Sequence, residues 1–177
     1  MSGDASRSVL ARALDQLGDL LVHVSADRLD ARTPCADWTL GDLADHIVAA
    51  PGKFVVMARG EQPDWSAAPE HLEDGWAPAF RSSADELVRL VGQNEGGNMD
   101  PSWMTAEFAV HTWDLAHALG RSTSDLDPEV AEHGLAFMRA NLRAEMRGET
   151  FGPEQPAPEG GDAYDAIAAF AGRTVSA

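Results

Sequence analysis

The sequence predicts an all-α protein, a bundle of helices joined by long connections. Every apolar segment repeats at the three- and four-residue steps of a helix, and none alternates as a half-buried strand does. Capping residues stand at the ends of these segments: Thr39 with Asp42, Asp127 before Pro128, and Gly120. Stretches rich in proline and glycine separate the segments. Such a chain is suited to a site built between facing helices.

The apolar periodicity and the caps predict five main helices, over residues 6–26, 39–59, 79–91, 102–119 and 128–147. Pro51 is expected to kink or interrupt the second helix, because it cannot donate a hydrogen bond to Ile47. A short sixth helix over 163–172 is expected to dock Ile167 and Phe170 back onto the bundle. The predicted organisation is therefore a helical bundle over residues 1–150 and a proline- and glycine-rich tail over 151–177.

Composition limits the class of protein and its partners. At 177 residues the chain suits one well-buried domain. Its net charge of −16 argues against nucleic-acid or anionic-membrane partners, and no apolar run reaches the ~18 residues of a transmembrane helix. A single cysteine, Cys35, suits a reducing cytoplasm. Lys53 is the only lysine, which indicates a GC-rich, actinobacterial genome. We expect a small-molecule partner, and a homodimer is compatible with the sequence.

The fourth predicted helix carries the most informative pattern. At ~100° per residue, Glu107, His111 and Asp114 form one stripe with apolar residues on both sides. Such groups are costly to bury unless they are paired. A divalent metal or a Glu–His hydrogen bond would pair them. From this helix alone, the hydrogen bond or a partly solvated stripe is favoured over a metal. The opposite face suits a thin solvent edge or close helix contact, and it is made of Thr105, Ala109, Thr112 and Ala116.

Other reactive side chains have weaker local signals. His46 borders the inward face of the second helix, and taken alone it indicates a core-edge histidine more than a ligand. Cys35 lies in a loop, where a half-buried structural thiol is favoured over a reactive one. The long stretch 60–78 contains two tryptophans, which suggests that it covers the mouth of a pocket. Of the remaining histidines, His23 is expected at the surface, and His117 is less well placed than His111 on the fourth helix. His71 and His133 have no patterned neighbours.

Three stretches together resemble a known family. They are TPCADW at 33–38 followed by His46, EFAVHTWD at 107–114, and FGP at 151–153. In this order and spacing the chain resembles the DinB-like metal-binding proteins related to the N-terminal domain of mycothiol-dependent maleylpyruvate isomerase. The resemblance implies a DinB-like four-helix bundle, here with an additional C-terminal helix. It also implies that His46, Glu107 and His111 bind a divalent metal, most simply zinc.

The resemblance implies a function as well. The open coordination position would take a water molecule or a thiol. The family relation favours the thiol, and it implies a zinc-dependent thiol transferase or isomerase-like enzyme. Such an enzyme would use a low-molecular-weight thiol such as mycothiol as cosubstrate for a small electrophile. Asp114 would orient His111, act as a base or be a fourth ligand, in that order. The isomerase has a further C-terminal domain, and this chain stops soon after Phe170, so the isomerase activity itself is not implied. Two alternatives are a non-enzymatic metal- or ligand-binding bundle and a thiol-independent, metal-assisted biosynthetic enzyme.

Overall fold

The protein is all-helical, as the sequence predicts. The computed structural model describes residues 3–35, 37–93, 99–148 and 151–175. Within these ranges there are six α-helices and no strand: α1 Gly3–Leu21, α2 Leu40–Ala58, α3 Trp76–Gly92, α4 Pro101–Leu119, α5 Pro128–Asn141 and α6 Ala163–Phe170. None of the helices in these ranges is both long enough and apolar enough to cross a membrane.

Helices α1 to α4 form a closed four-helix bundle. Helix α1 packs against α3 and α4, and α2 packs against the same two helices. Fully buried side chains from every helix fill the centre, among them Leu17, Leu43, Phe80 and Phe108. Helix α5 packs against α4 from outside, and α6 packs against both α4 and α5. The expected docking of Ile167 and Phe170 is confirmed, since both side chains are buried.

The capping signals hold at atomic level. Thr39 accepts a hydrogen bond from the Asp42 N–H, and the Asp42 carboxylate accepts one from the Thr39 N–H, which completes a capping box at the start of α2. Asp127 caps α5 through the Glu129 N–H. Gly120 ends α4 with φ at 69°, the left-handed conformation that glycine adopts without strain. These local signals act within one turn, so the sequence alone identifies them.

Two predictions that involve prolines are wrong: the start of α3 and the interruption of α2. Helix α3 begins at Trp76 and not at residue 79, with Pro78 in its first turn, where a backbone N–H has no helical acceptor to lose. Helix α2 runs through Pro51 without interruption. Pro51 is buried, as are Ile47 and Phe54 of the same helix, and this burial offsets the loss of one hydrogen bond. The predicted break after His46 is therefore absent.

Two helices end earlier than their periodicity predicts. Helix α1 ends at Leu21 and not at residue 26. Val24 lies beyond this end in a turn, and its side chain is still buried. Helix α5 ends at Asn141 and not at residue 147. The Asn141 side-chain amide donates to the Phe137 carbonyl, a local bond that competes with helix continuation. Leu142 then adopts extended backbone and packs against the core.

Helix α4 is the centre of the molecule. The residues of its small-residue face are all fully buried: Thr105, Ala109, Thr112 and Ala116. The prediction that this face makes close helix contact is therefore confirmed, and the alternative of a solvent edge is wrong. Gly134 of α5 allows this approach, because an added Cβ there would lie 3.0 Å from the Ala106 Cα. With neighbours on every side, α4 holds its polar stripe in a fixed position.

Candidate metal centre

Three side chains from two helices converge on one point. His46 extends from α2, and Glu107 and His111 extend from adjacent turns of α4. Glu107 Oε1 lies 3.4 Å from His46 Nε2 and 3.3 Å from His111 Nε2. One ligand atom from each of the three residues lies within 4.8 Å of the other two. The structure thus brings together the three residues expected to bind metal, although 61 positions separate His46 from Glu107.

The donor set fits a zinc ion. Bonds of about 2.0–2.1 Å in a tetrahedral site place neighbouring ligand atoms about 3.3–3.4 Å apart. The two measured distances to Glu107 Oε1 match this spacing. They are long for direct N–H···O hydrogen bonds, which cluster at about 2.7–3.2 Å. Two imidazole nitrogens and one carboxylate oxygen also leave a fourth position open, as in catalytic zinc sites.

Asp114 supports His111 from the far side of the imidazole. Its Oδ2 lies 3.1 Å from His111 Nδ1, and its side chain is 0% exposed. Burial raises the pKa of Asp114, but hydrogen bonds from His111 and Arg173 lower it further, so the carboxylate stays ionised and accepts a hydrogen bond from His111 Nδ1–H. When His111 is neutral, this bond keeps its one proton at Nδ1 and leaves the Nε2 lone pair on the Glu107 side, which is the tautomer that binds metals.

Asp114 is itself held by two residues far away in the sequence. Arg173, in the tail after α6, donates from Nε to Oδ1 at 3.1 Å and from Nη2 to Oδ2 at 2.9 Å. The Cys35 thiol donates to Oδ2 at 3.3 Å. Cys35, His111 and Asp114 could also form a metal-binding group, but the Arg173 guanidinium already supplies the positive charge there. The site with Glu107 is therefore the better cation site.

Opposite charges inside the site control its protonation. Burial lowers the pKa of His111, but the Glu107 charge and the Asp114 hydrogen bond raise it further, and the result lies well above 6.5. Burial raises the pKa of Glu107, while the charge of His111 and the nearby ring nitrogens of both histidines hold it well below its ordinary value. Two carboxylates thus enclose one imidazole, an arrangement that calls for a proton or a metal ion.

Trp38 covers the centre from the loop before α2. Its ring lies 4.6 Å from the His46 ring and 6.2 Å from the His111 ring, centroid to centroid. The loop over 60–75 packs on α2 and α4 through Trp65, whose ring lies 5.7 Å from that of Phe54 and 6.4 Å from that of Trp103. The other end of this loop is anchored at buried Asp45, which accepts from the Trp76 indole at 3.1 Å.

The sequence predicted the ligand stripe but not all of its supports. Cys35 and Trp38 stood inside the TPCADW motif that carried the resemblance, so a signal for them was present. Arg173 had no signal, because one arginine in a tail reveals nothing about its tertiary partner. The other histidines lie elsewhere: His71 bonds Asp45 at 2.7 Å, His133 contacts Ser102, and His117 stacks on Trp113. His23 is exposed, as expected.

Comparison with known proteins identifies the family. The mycothiol maleylpyruvate isomerase N-terminal domain family matches residues 10–116, which include His46, Glu107, His111 and Asp114. The chain belongs to this family. It is also 35% identical to an uncharacterized protein found in two strains of Mycobacterium tuberculosis, over 93% of this chain and 95% of each relative. These relatives agree with the actinobacterial origin inferred from codon bias. No solved structure matches the chain.

Proposed function

We propose that this family member is a metal-dependent enzyme that uses a low-molecular-weight thiol, such as mycothiol, to attack or isomerise a small electrophile. The observation that carries the proposal is the placement of His46 Nε2 and His111 Nε2 around one oxygen of Glu107, with tetrahedral spacing. Membership of a family described by a mycothiol-dependent isomerase favours a thiol as the cosubstrate.

The charge of the donor set suits a thiol. Two neutral imidazoles and one carboxylate offset half the charge of a divalent ion, so one further anion is favoured in the open position. A zinc ion bound there would lower the pKa of a thiol below its ordinary ~8.5 and hold it as the thiolate. Trp38 restricts water on the solvent side, because its ring lies against both imidazoles. With a divalent ion bound, the centre would be a partly enclosed, cationic position.

Asp114 is best assigned as a positioning residue. It contacts His111 Nδ1, Arg173 and Cys35 and is fully buried, so it does not line the open side of the centre. Its carboxylate keeps the His111 proton at Nδ1 and thereby keeps Nε2 available for metal. Direct proton transfer between Asp114 and a substrate would require the side chain to leave these partners. Orientation of His111 is therefore favoured over a role as base or fourth ligand.

Metal analysis combined with one ligand variant tests the proposal. We expect the purified wild type to hold about one equivalent of zinc and to turn over a model electrophile only when a thiol is present. His46→Ala should lose metal and activity while it keeps its helical circular dichroism, since the ligand is half-buried at the edge of α2. His23→Ala, an exposed histidine, is the matched control and should change neither property.

The same experiment separates the two alternatives. Metal binding without turnover under any condition would favour a non-enzymatic bundle. Metal-dependent turnover that needs no thiol would favour a thiol-independent biosynthetic enzyme. A wild type that binds no divalent metal at all would overturn the proposal.

A further inference from the structure

A cavity of about 320 Å³ lies between α4, the end of α5 and the tail that precedes α6. Its wall is mainly apolar and includes Trp103, Phe137, Met138, Leu142, Met146 and Phe151. The polar side chains in the wall are Asn141 and Glu107. Among the described residues that line it there is no lysine or arginine. The volume falls within the range of small-molecule pockets, about 300–1,000 Å³.

The early end of α5 creates this cavity. A helix continued to residue 147 would carry Leu142 and Met146 onward along the α5 axis. The chain turns instead at Leu142, passes through a short 3₁₀ turn over Ala144–Met146 and returns with Phe151. Apolar side chains from this segment therefore face α4 across an open space. The cavity is a built feature of the chain path and not a gap in a helix interface.

Glu107 connects the cavity with the candidate metal centre. It lines the cavity, and its Oε1 is the oxygen that lies between His46 and His111. A molecule in the cavity therefore has one end beside the metal-binding carboxylate. Because both sites share this residue, the cavity is the nearest place for the body of a substrate whose reactive end reaches the centre.

The exposure of the wall indicates that it binds something. Met146 is 62% exposed and Trp103 is 38% exposed, and both are among the few large apolar side chains that the described residues present to solvent. Large apolar side chains grouped around one concave site mark a binding surface more often than isolated ones do. A ligand that fills the cavity would remove both from water.

Charge decides which ligand can enter. A molecule that carried a carboxylate or phosphate against the apolar wall would lose hydration without a cationic partner among the described lining residues. The chain as a whole carries a net charge of −16, which adds a general repulsion of anions. An uncharged apolar group meets neither cost.

We propose that this cavity binds the uncharged, apolar body of a small molecule, whose polar end lies toward Glu107. That the molecule is a substrate rests on the proposed function, whereas its binding in the cavity does not. The shared wall implies that the body of the electrophile is largely apolar.

Two fluorescent probes with the same ring system test the charge preference on the full chain. N-phenyl-1-naphthylamine is uncharged, and 8-anilino-1-naphthalenesulfonate adds one sulfonate. We expect the uncharged probe to bind the wild type with a Kd about tenfold lower, because the sulfonate would be buried without a partner. His46→Ala should leave this binding unchanged, since His46 does not line the cavity. Loss of metal without loss of probe binding thus separates a failed proposed function from a failed cavity assignment.

Three variants locate the binding. Leu142→Trp fills the cavity and should weaken binding of the uncharged probe about tenfold. Met146→Lys places a cation at the mouth and should remove most of the preference against the sulfonate. Val22→Lys is the matched control. Val22 directly follows the last residue of α1, is 60% exposed and does not line the cavity.

Two results would overturn the cavity proposal. One is equal or tighter binding of the sulfonate by the wild type. The other is an unchanged probe preference in Met146→Lys, a surface change that the fold should tolerate even if Leu142→Trp does not fold.

Discussion

At the scale of single residues, the site depends on side chains that hold other side chains. His111 has Glu107 at Nε2 and Asp114 at Nδ1, so its ring orientation is set from both sides. Asp114 is in turn held by a two-point contact with Arg173. Partners of this kind typically change metal affinity 10- to 100-fold when they are removed, because they fix the tautomer and angle of the ligand.

Arg173→Ala tests this chain of contacts. Removal of one partner of a buried ion pair leaves Asp114 uncompensated, although His111 and Cys35 still donate to it, and we expect a loss of about 3 kcal/mol in the free energy of unfolding. Zinc affinity should fall about tenfold, since His111 loses its fixed support. Urea unfolding and a competitive zinc chelator measure the two effects. Arg121→Ala, an exposed arginine, is the control, and unchanged zinc affinity in Arg173→Ala would contradict the assignment of Asp114 as positioning residue.

At the scale of elements, the angle and start of α2 place His46. The capping box fixes the first turn, and His46 follows one and a half turns later. The Thr39 hydroxyl and the Thr39 N–H both donate to Asp42, and these bonds lower the pKa of Asp42 below its ordinary 3.8. A carboxyl whose pKa is lower in the folded state stabilises the fold above its unfolded pKa, and this contribution disappears as the pH falls through the folded value.

Asp42→Asn should therefore destabilise the protein only where Asp42 is ionised. We expect a loss of about 1 kcal/mol at pH 7, the typical size of a cap, and a smaller difference from wild type once the pH falls through the lowered pKa of Asp42. Urea titrations at several pH values measure the trend. Asp85→Asn, an exposed position in the middle of α3, should show no such pH dependence. A constant difference at all pH values would mean that Asp42 acts through packing and not through its charge.

At the scale of the whole molecule, the C-terminal tail packs back onto the helical bundle beside the metal centre. Arg147 donates to the carbonyls of Gly152 and Phe170, and this ties the end of the bundle to the tail. Gly172 lies against Gly152 with φ at 94°, and an added Cβ would be 2.7 Å from the Gly152 Cα. The next residue is Arg173, so the position of the tail sets the position of its guanidinium at the metal centre.

Gly172→Ala tests whether tail closure controls the site. The left-handed backbone costs an alanine about 1–2 kcal/mol, and the contact with Gly152 adds to this cost. Gly160→Ala is the matched control, because Gly160 has φ at 78° with nothing within 4 Å of an added Cβ. Both variants should lose stability, but only Gly172→Ala should also weaken zinc binding. Equal zinc affinity in the two variants would show that the tail does not position Arg173.

The sequence by itself determined the helices, most of the caps and the Glu107–His111–Asp114 stripe. These features depend on contacts within one or two turns, and periodicity reports them directly. The resemblance to the family added His46. The local sequence pattern does not reveal that His46 meets α4. The early ends of α1 and α5 were missed, because tertiary packing at Val24 and Leu142 outweighs helix propensity there.

Only the tertiary structure decided what surrounds the stripe. Arg173 at Asp114, Trp38 over the two imidazoles and the apolar cavity beside Glu107 all join segments that are distant in the sequence. Such contacts follow from how the helices pack and where the tail returns, and neither is encoded in a local repeat. The pattern on α4 therefore predicted the Glu107–His111–Asp114 stripe, and the family resemblance added His46, while the supports of the site and its neighbouring pocket could not be predicted.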